Sequence, residues 1–362
     1  MHRVRYFGAG PGALPLEVIQ KAGQDLPDWR NTGASIMETS HRSREYVQLH
    51  EASRSMFKHL MGMDENWEVL FLQGGATTQF AMLPMNFLGP YKGADYVLTG
   101  AWSNKAFNAS RYFGPSRIAA DTRENEIYTR IPAMSELDMD ADATYCHLTT
   151  NNTIYGTQWK KLPETGKVPL VLDMSSDIMS RQLNLDDVGL IYASAQKNLG
   201  PAGVCVVAIR KEMLDRANSD LPEILSYRAH AAKSSLLNTP PTFNVYMMKL
   251  VLDWIESRGG VKAMERLASA KASLIYDIID SSNGFYKCPV PESHRSKMNA
   301  VFSLPDEQME NELVAKAKAD GFTGIRGHRS LGGLRVSMYN AVSLESIIEL
   351  AAFLKDFAKR NG

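Results

Sequence analysis

Lys197 stands in the run Ser194-Ala195-Gln196-Lys197-Asn198-Leu199-Gly200-Pro201-Ala202-Gly203, and upstream the apolar stretch Val168-Pro169-Leu170-Val171-Leu172 ends in Asp173. An amine and a carboxylate thus close two neighbouring buried segments. That pairing suits pyridoxal 5'-phosphate (PLP). A lysine amine condenses with the cofactor's aldehyde to a Schiff base, and an acid beside the pyridine nitrogen keeps the ring protonated as an electron sink. In isolation, a strand-end aspartate more often caps a helix and a lysine is more often solvated. The company of Lys197 sets it apart: Gln196 before it, then a Gly-Pro-x-Gly turn into Val204-Cys205-Val206-Val207. A lysine at the mouth of a buried sheet is desolvated, which favours the neutral, nucleophilic amine.

Three further groups of residues suit anions and flat rings. Leu70-Phe71-Leu72-Gln73-Gly74-Gly75-Ala76-Thr77-Thr78-Gln79-Phe80 reads as a strand, two glycines and a helix start. Free backbone N–H groups and the positive end of a helix dipole would meet a phosphate there, unless the turn is simply capped by Thr77 or Thr78. His41-Arg42-Ser43-Arg44 and Gly327-His328-Arg329 with Arg335 are basic clusters; either they are solvated or, together, they suit a doubly anionic substrate. Trp102, after Gly100-Ala101, offers a flat face to a cofactor ring or packs in the core. Gly8-Ala9-Gly10-Pro11-Gly12-Ala13 matches the dinucleotide pattern in letters only. Its preceding segment is short and arginine-rich, and Pro11 lacks an N–H where a pyrophosphate needs one, so a flexible arm lining a substrate pocket is expected instead.

The elements that must position these residues alternate. Strand candidates are Glu68 to Leu72, Tyr96 to Thr99, Tyr145 to Thr149, Leu170 to Asp173, Leu190 to Ala193 and Val204 to Ile209. Helix candidates include Ser43 to Met61, Thr78 to Leu88 and Asn104 to Tyr112. Alternation of this kind predicts an α/β fold with a mostly parallel sheet. Beyond about residue 240, Phe243, Met247, Leu250, Val251 and Trp254 follow a helical period, as do Leu344, Ile347, Ile348, Ala351, Leu354 and Ala358, with short strands at Ala300 to Leu304 and Leu334 to Met338 between them. Residues 16–255 are expected to form a large domain, and 1–15 with 256–362 a smaller α/β domain. Thr239-Pro240-Pro241 reads as a rigid turn before a helix.

Composition narrows the class. The chain has 362 residues, 44% hydrophobic, with 40 basic and 40 acidic side chains, so no global field favours nucleic acid or an anionic membrane. Three cysteines without paired spacing (Cys146, Cys205, Cys288) fit a reducing compartment, and no CxxC or HExxH spacing suggests a metal. No apolar run is long enough to span a membrane, and the N-terminus does not read as a secretory signal, so a cytoplasmic protein is expected.

Together these blocks resemble the phosphoserine aminotransferase family of fold-type I PLP enzymes. The likeness runs nearly end to end: Gly10-Pro11, Ser40-His41-Arg42-Ser43, Gln73 to Phe80, Asn151-Asn152-Thr153-Ile154-Tyr155-Gly156, Ser194 to Gly203, Leu237-Asn238-Thr239-Pro240-Pro241 and Gly327 to Arg335. The resemblance implies that Lys197 is the Schiff-base lysine, Asp173 the pyridinium partner, Trp102 the stacking ring and Thr153 a donor to the ring hydroxyl. It gives the cofactor phosphate to the Ala76 and Thr77 backbone, Gln196, and Asn238 with Thr239 of a partner subunit, hence a homodimer with shared sites. It gives the substrate α-carboxylate to Arg335, and the second anion to His328 and Arg329 with a partner's His41 and Arg42. Some relatives carry an arginine where this chain has Thr77; backbone donors do not depend on that side chain.

The implied reaction moves an amino group from L-glutamate to 3-phosphohydroxypyruvate, giving 2-oxoglutarate and O-phospho-L-serine, with 4-phosphohydroxy-L-threonine of vitamin B6 synthesis as a second substrate. Alternatives are another small-substrate aminotransferase or a cysteine desulfurase of the same fold, an NAD-dependent oxidoreductase using the N-terminal glycines, and a non-catalytic binding module.

Overall fold

A computed structural model describes residues 3–362, so the first two residues of the expected N-terminal arm lie outside the described residues. Its centre is a seven-stranded sheet of β1 (Trp67–Gly74), β2 (Ala94–Leu98), β3 (Ser116–Asp121), β4 (Cys146–Thr149), β5 (Leu170–Asp173), β6 (Val188–Ser194) and β7 (Gly203–Arg210), in spatial order β1-β7-β6-β5-β4-β2-β3. Only β7 runs against its neighbours; the pairs from β6 through to β3 are parallel. The mostly parallel sheet expected from the alternation is therefore present. β3 escaped the sequence reading because it is an edge strand with largely exposed side chains and carries little apolar signal.

Period-two alternation splits the strands between two cores. Val69, Phe71, Leu148, Leu170, Leu172, Ile191 and Val206 face one side, packed beneath the helices Arg44–Met61 and Thr242–Ser257. Leu70, Leu72, Tyr96, Val171, Tyr192 and Val207 face the other, under the helices Ala76–Phe87 and Ala101–Ser110. Each such side chain contributes about 1.5–3 kcal/mol on burial, which makes the sheet a rigid frame for whatever sits at its rim.

A separate apolar core gathers Phe7 from the N-terminal arm with residues of the helices Gly260–Asp280, Glu307–Ala319 and Leu344–Asn361 and the antiparallel strands Asn299–Phe302 and Leu334–Ser337. The arm enters this core through Arg5–Tyr6, paired in parallel with Phe322–Thr323. The glycine-rich segment that follows is fastened by hydrogen bonds rather than left as a free arm. Gly12 N–H donates to Gln196 O at 2.6 Å, and Tyr339 Oη donates to Ala9 O at 2.6 Å. No helix opens within Gly8–Ala13, so the strand–turn–helix needed for a dinucleotide is absent there.

Candidate active site

The carboxyl ends of β1, β2, β4, β5 and β6 lie along one edge of the sheet, the place where open α/β sheets take ligands. Asp173 is the last residue of β5, in register with Thr149 of β4 and Tyr192 of β6. Lys197 follows β6 in a tight turn, closed by Ala195 N–H to Val204 O at 3.0 Å and Gly200 N–H to Ala195 O at 2.9 Å. The Lys197 amine donates to Thr153 Oγ1 at 2.6 Å and sits 5.4 Å from the centre of the Trp102 ring. The sequence therefore named four residues that the fold does bring together.

Burial sets the electrostatics. Desolvation lowers the Lys197 amine to about 8, Asp173 and Asp177 pull it back up, and Arg335 pushes it down. Desolvation likewise raises the Asp173 carboxyl, against the Lys197 charge and the bonds from Ser175. Ser175 N–H donates to Asp173 Oδ1 at 3.0 Å. Asp177 is occupied otherwise, accepting from Arg181 Nη2 and Gln158 Nε2 at 3.1 Å each and from the Thr150 hydroxyl.

The Gly74-Gly75 turn opens a cradle beside this pair. Gly74 takes φ +98°, where a Cβ would also lie 2.5 Å from Thr78 Oγ1; a Cβ on Gly75 would lie 2.9 Å from Ser194 Oγ. The helix Ala76–Phe87 starts with no side-chain cap; Thr78 and Gln79 N–H turn back to Gly75 O at 3.0 and 3.4 Å, which leaves the Ala76 and Thr77 N–H groups to meet an anion. Gln196 lies by the same turn, its Oε1 accepting from the Ser194 hydroxyl that faces Gly75. Trp102 Nε1 is buried without a partner.

Arg335, second in the antiparallel strand Leu334–Ser337, reaches the same edge, donating through Nη1 to Thr153 O at 3.3 Å, while its buried Nε has no partner. His328 is held below its usual value by burial and by the charges of Arg335, Arg329 and Lys105. Lys105 was missed by the sequence reading, though its spacing from Trp102 puts both on one helical face; its amine lies 4.7 Å from the Trp102 ring centre. Beside Arg335 and His328 a cavity of about 280 Å³ is lined also by Tyr128, Tyr155, Val301 and Leu331.

His41 and Arg42 precede the helix Arg44–Met61 and make no hydrogen bond or ion pair to this cluster within the chain. Asn238 and Thr239 lie by the end of β1, where Thr239 O accepts from Gln73 Nε2 at 2.6 Å. Among the described residues no group of three histidine, cysteine or acidic side chains could hold a metal ion, and no helix is long and apolar enough to cross a membrane. Cys146 and Cys205 are buried in strands, and burial raises the half-buried Cys288 thiol, so none resembles an exposed desulfurase nucleophile.

The class-V aminotransferase family model matches residues 4–350. A phosphoserine aminotransferase of Lysinibacillus sphaericus is 52% identical over 359 residues, spanning 99% of both chains. The solved phosphoserine aminotransferase of Bacillus circulans subsp. alkalophilus superposes with a TM-score of 0.97 at 46% identity, covering 99% of each chain. A PLP-bound phosphoserine aminotransferase of Trichomonas vaginalis does so at 0.92 and 34% identity, over 98% of this chain and 100% of that one.

Proposed function

The chain belongs to the phosphoserine aminotransferases of the class-V aminotransferase family, and on that footing we propose that it transfers the amino group of L-glutamate to 3-phosphohydroxypyruvate with PLP as cofactor. The observation that carries this reading is the buried amine of Lys197, lowered to about 8, lying between Thr153 and the face of Trp102 at the strand end next to Asp173.

The residues present fit PLP. The uncapped N-terminus at Ala76 and Thr77, with Gln196, suits a phosphate; the Trp102 face suits a flat ring; Asp173 suits a protonated ring nitrogen; and Thr153 suits the ring hydroxyl. When bound, PLP would supply an aldehyde carbon to carry the amino group between substrates and a protonated ring as a sink for the electron pair of the broken Cα–H bond. Arg335 holds the α-carboxylate that both substrates share. Arg329, His328 and Lys105 hold the distal carboxylate or the phosphate. Lys197, near 8, is partly neutral at physiological pH and moves the proton at the substrate Cα. Burial raises the Asp173 carboxyl while the Lys197 charge and the bond from Ser175 oppose that, and this acid is the group placed to hold a proton on the ring nitrogen.

The site is completed in a homodimer, in which the partner adds His41 and Arg42 to the second-anion pocket and Asn238 and Thr239 to the phosphate site. The absence of any bond from His41 or Arg42 to their own chain's cluster supports this arrangement. Residues 16–255 are assigned to the PLP-binding domain and 1–15 with 256–362 to the smaller one; the separate apolar cores support the division, with Val261 and Met264 of the second group reaching into the large core. Three unpaired cysteines support a cytoplasmic location. The doubly anionic pocket also suits 4-phosphohydroxy-L-threonine of vitamin B6 synthesis.

Borohydride reduction of the purified protein followed by peptide mapping is the test. A pyridoxyl group on Lys197, removed by prior incubation with glutamate, is expected, together with one equivalent of 2-oxoglutarate per site from glutamate alone and continued formation only when 3-phosphohydroxypyruvate or its homologue is supplied. Label on another lysine, or equal turnover with alanine or cysteine as donor, overturns the reading.

A further inference from the structure

The helix Gly260–Asp280 passes from one apolar core to another: Val261 and Met264 belong to the large core, Ala272, Ile275 and Ile279 to the small one. Lys271 lies at the crossing and is 1% exposed. It forms no ion pair among the described residues. Instead it donates to Tyr339 O at 2.7 Å and to Val342 O at 3.0 Å. A neutral amine has two N–H groups, which two carbonyls satisfy completely. Burial alone lowers this amine, to about 7, and no neighbouring charge acts on it.

The carbonyls it binds belong to the turn 339–342, which joins the strand bearing Arg335 to the C-terminal helix. The same turn grips the other side of the site. Asn340 N–H donates to Asn198 Oδ1 at 2.8 Å, next to Lys197, and Asn340 Nδ2 donates to Met179 O at 2.9 Å. Tyr339 Oη reaches Ala9 O, and its ring packs so closely on Gly12 that a Cβ there would lie 2.7 Å from it. The turn therefore touches both the strand that carries Arg335 and the loop that carries Lys197, while Lys271 is its anchor from beneath. A solvated lysine would make none of these bonds, and burying an amine without them is costly.

We propose that Lys271 is a positioning residue for transamination, whose two bonds to the 339–342 turn fix the spacing between Arg335 and Lys197. The proposal rests on the functional reading above. Loss of the anchor leaves Val342 O without its donor and Tyr339 O with only the Val342 N–H bond at 2.9 Å, and the turn moves toward other donors. A displacement of about 1 Å between groups that must act on one substrate carbon costs about ten- to a hundredfold in rate.

The test compares the wild-type holoenzyme with Lys271→Met, which keeps the volume and removes both donors, and Lys271→Gln, which keeps two N–H groups on a stem one carbon shorter. Lys271→Met is expected to lower kcat/KM for glutamate and for 3-phosphohydroxypyruvate by at least about tenfold, and to speed hydrogen exchange at the Asn340 amide well below the melting temperature. Lys271→Gln is expected to recover most of both. Should Lys271→Met not fold, Lys271→Gln against wild type carries the comparison, with a two- to fivefold loss of kcat/KM expected (about one carbon of displacement). A folded Lys271→Met with kcat/KM within twofold and unchanged Asn340 exchange overturns the proposal, as does a loss that Lys271→Gln leaves untouched. An inactive wild-type protein would instead overturn the functional reading, so the two failures are distinguishable.

Discussion

Replacing Arg335 with alanine separates the binding of the shared carboxylate from everything else at the site. Among the described residues only its Nη1 is engaged, by Thr153 O at 3.3 Å, and the buried Nε lacks a partner. Nε and a neighbouring terminal nitrogen are thus free to form a two-bonded fork with a carboxylate. Hydrogen bonds to charged groups are worth about 1.5–3 kcal/mol each, and truncating a buried partner of such a pair costs about 2–5 kcal/mol. A loss of about 2–4 kcal/mol, or roughly 30- to 1,000-fold in kcat/KM, is expected. Because glutamate and the phosphorylated keto acid both present an α-carboxylate, the loss should be equal for the two substrates within about threefold. Arg335→Lys keeps the charge but not the planar fork and should fall between. A second signature follows from electrostatics. The Arg335 charge helps hold the free Lys197 amine down at about 8, so its removal raises that amine and moves the acid limb of the kcat/KM profile for 3-phosphohydroxypyruvate, which meets the enzyme with Lys197 unbound, to higher pH. Steady-state kinetics with each substrate from pH 6 to 10 read both effects. A loss under threefold, or one confined to a single substrate, would refute the assignment.

Ala76→Pro removes one N–H from the first turn of the helix Ala76–Phe87. Its preceding residue, Gly75, is already extended (φ −156°, ψ −169°), so the helix should persist. Cofactor affinity, read by spectral titration of the apoprotein, is expected to fall by about 10- to 100-fold, the worth of one bond to a charged acceptor; unchanged affinity would place the phosphate elsewhere. Lys271 gives a stability prediction. The folded chain releases its proton near pH 7 and the unfolded chain holds it to 10.5, so between those values the unfolded state binds more protons and stability rises with pH, by at most about 4–5 kcal/mol. Below pH 7 both states carry the proton and the term is constant. Denaturant unfolding of the apoprotein at pH 6 to 9 should show a flatter slope for Lys271→Met than for wild type, and equal slopes would deny that Lys271 is buried neutral.

Much of the frame was legible because burial on both faces leaves a mark that short apolar runs carry openly. Leu170 to Asp173 is a strand with the bounds expected, and the carboxylate and amine that close two such runs share one sheet edge, near enough for each charge to act on the other. Other parts leave no such mark. The strand Ser116–Asp121 mixes polar and apolar residues because it lies at an edge. The helix Glu307–Ala319 is largely solvated, with few buried positions to set a period. Lys105 was readable in principle, one turn from Trp102, but its meaning depends on His328 arriving from a distant loop. Lys271, in Ser269-Ala270-Lys271-Ala272, looks like any surface lysine. Only the packing of two cores around one helix shows that it is buried.

Perturbed lysines alone would not have located the chemistry. Burial lowers Lys197 to about 8, Lys160 to about 8 and Lys271 to about 7, so Lys197 is not the most displaced amine. Its surroundings are what differ. Lys271 meets only two carbonyls that its N–H groups saturate, which leaves no room for a reacting partner. Lys160 has cations as neighbours, Lys297 and Arg181, and its amine is bonded to Arg295 O. Lys197 alone combines a depressed amine with a carboxylate that opposes the depression, an aromatic face and an uncapped helix start on the same strand edge. Desolvation supplies a nucleophilic amine in each place; the parallel strand ends supply somewhere for a substrate to be. The functional reading therefore rests on the convergence of elements rather than on any single shifted group.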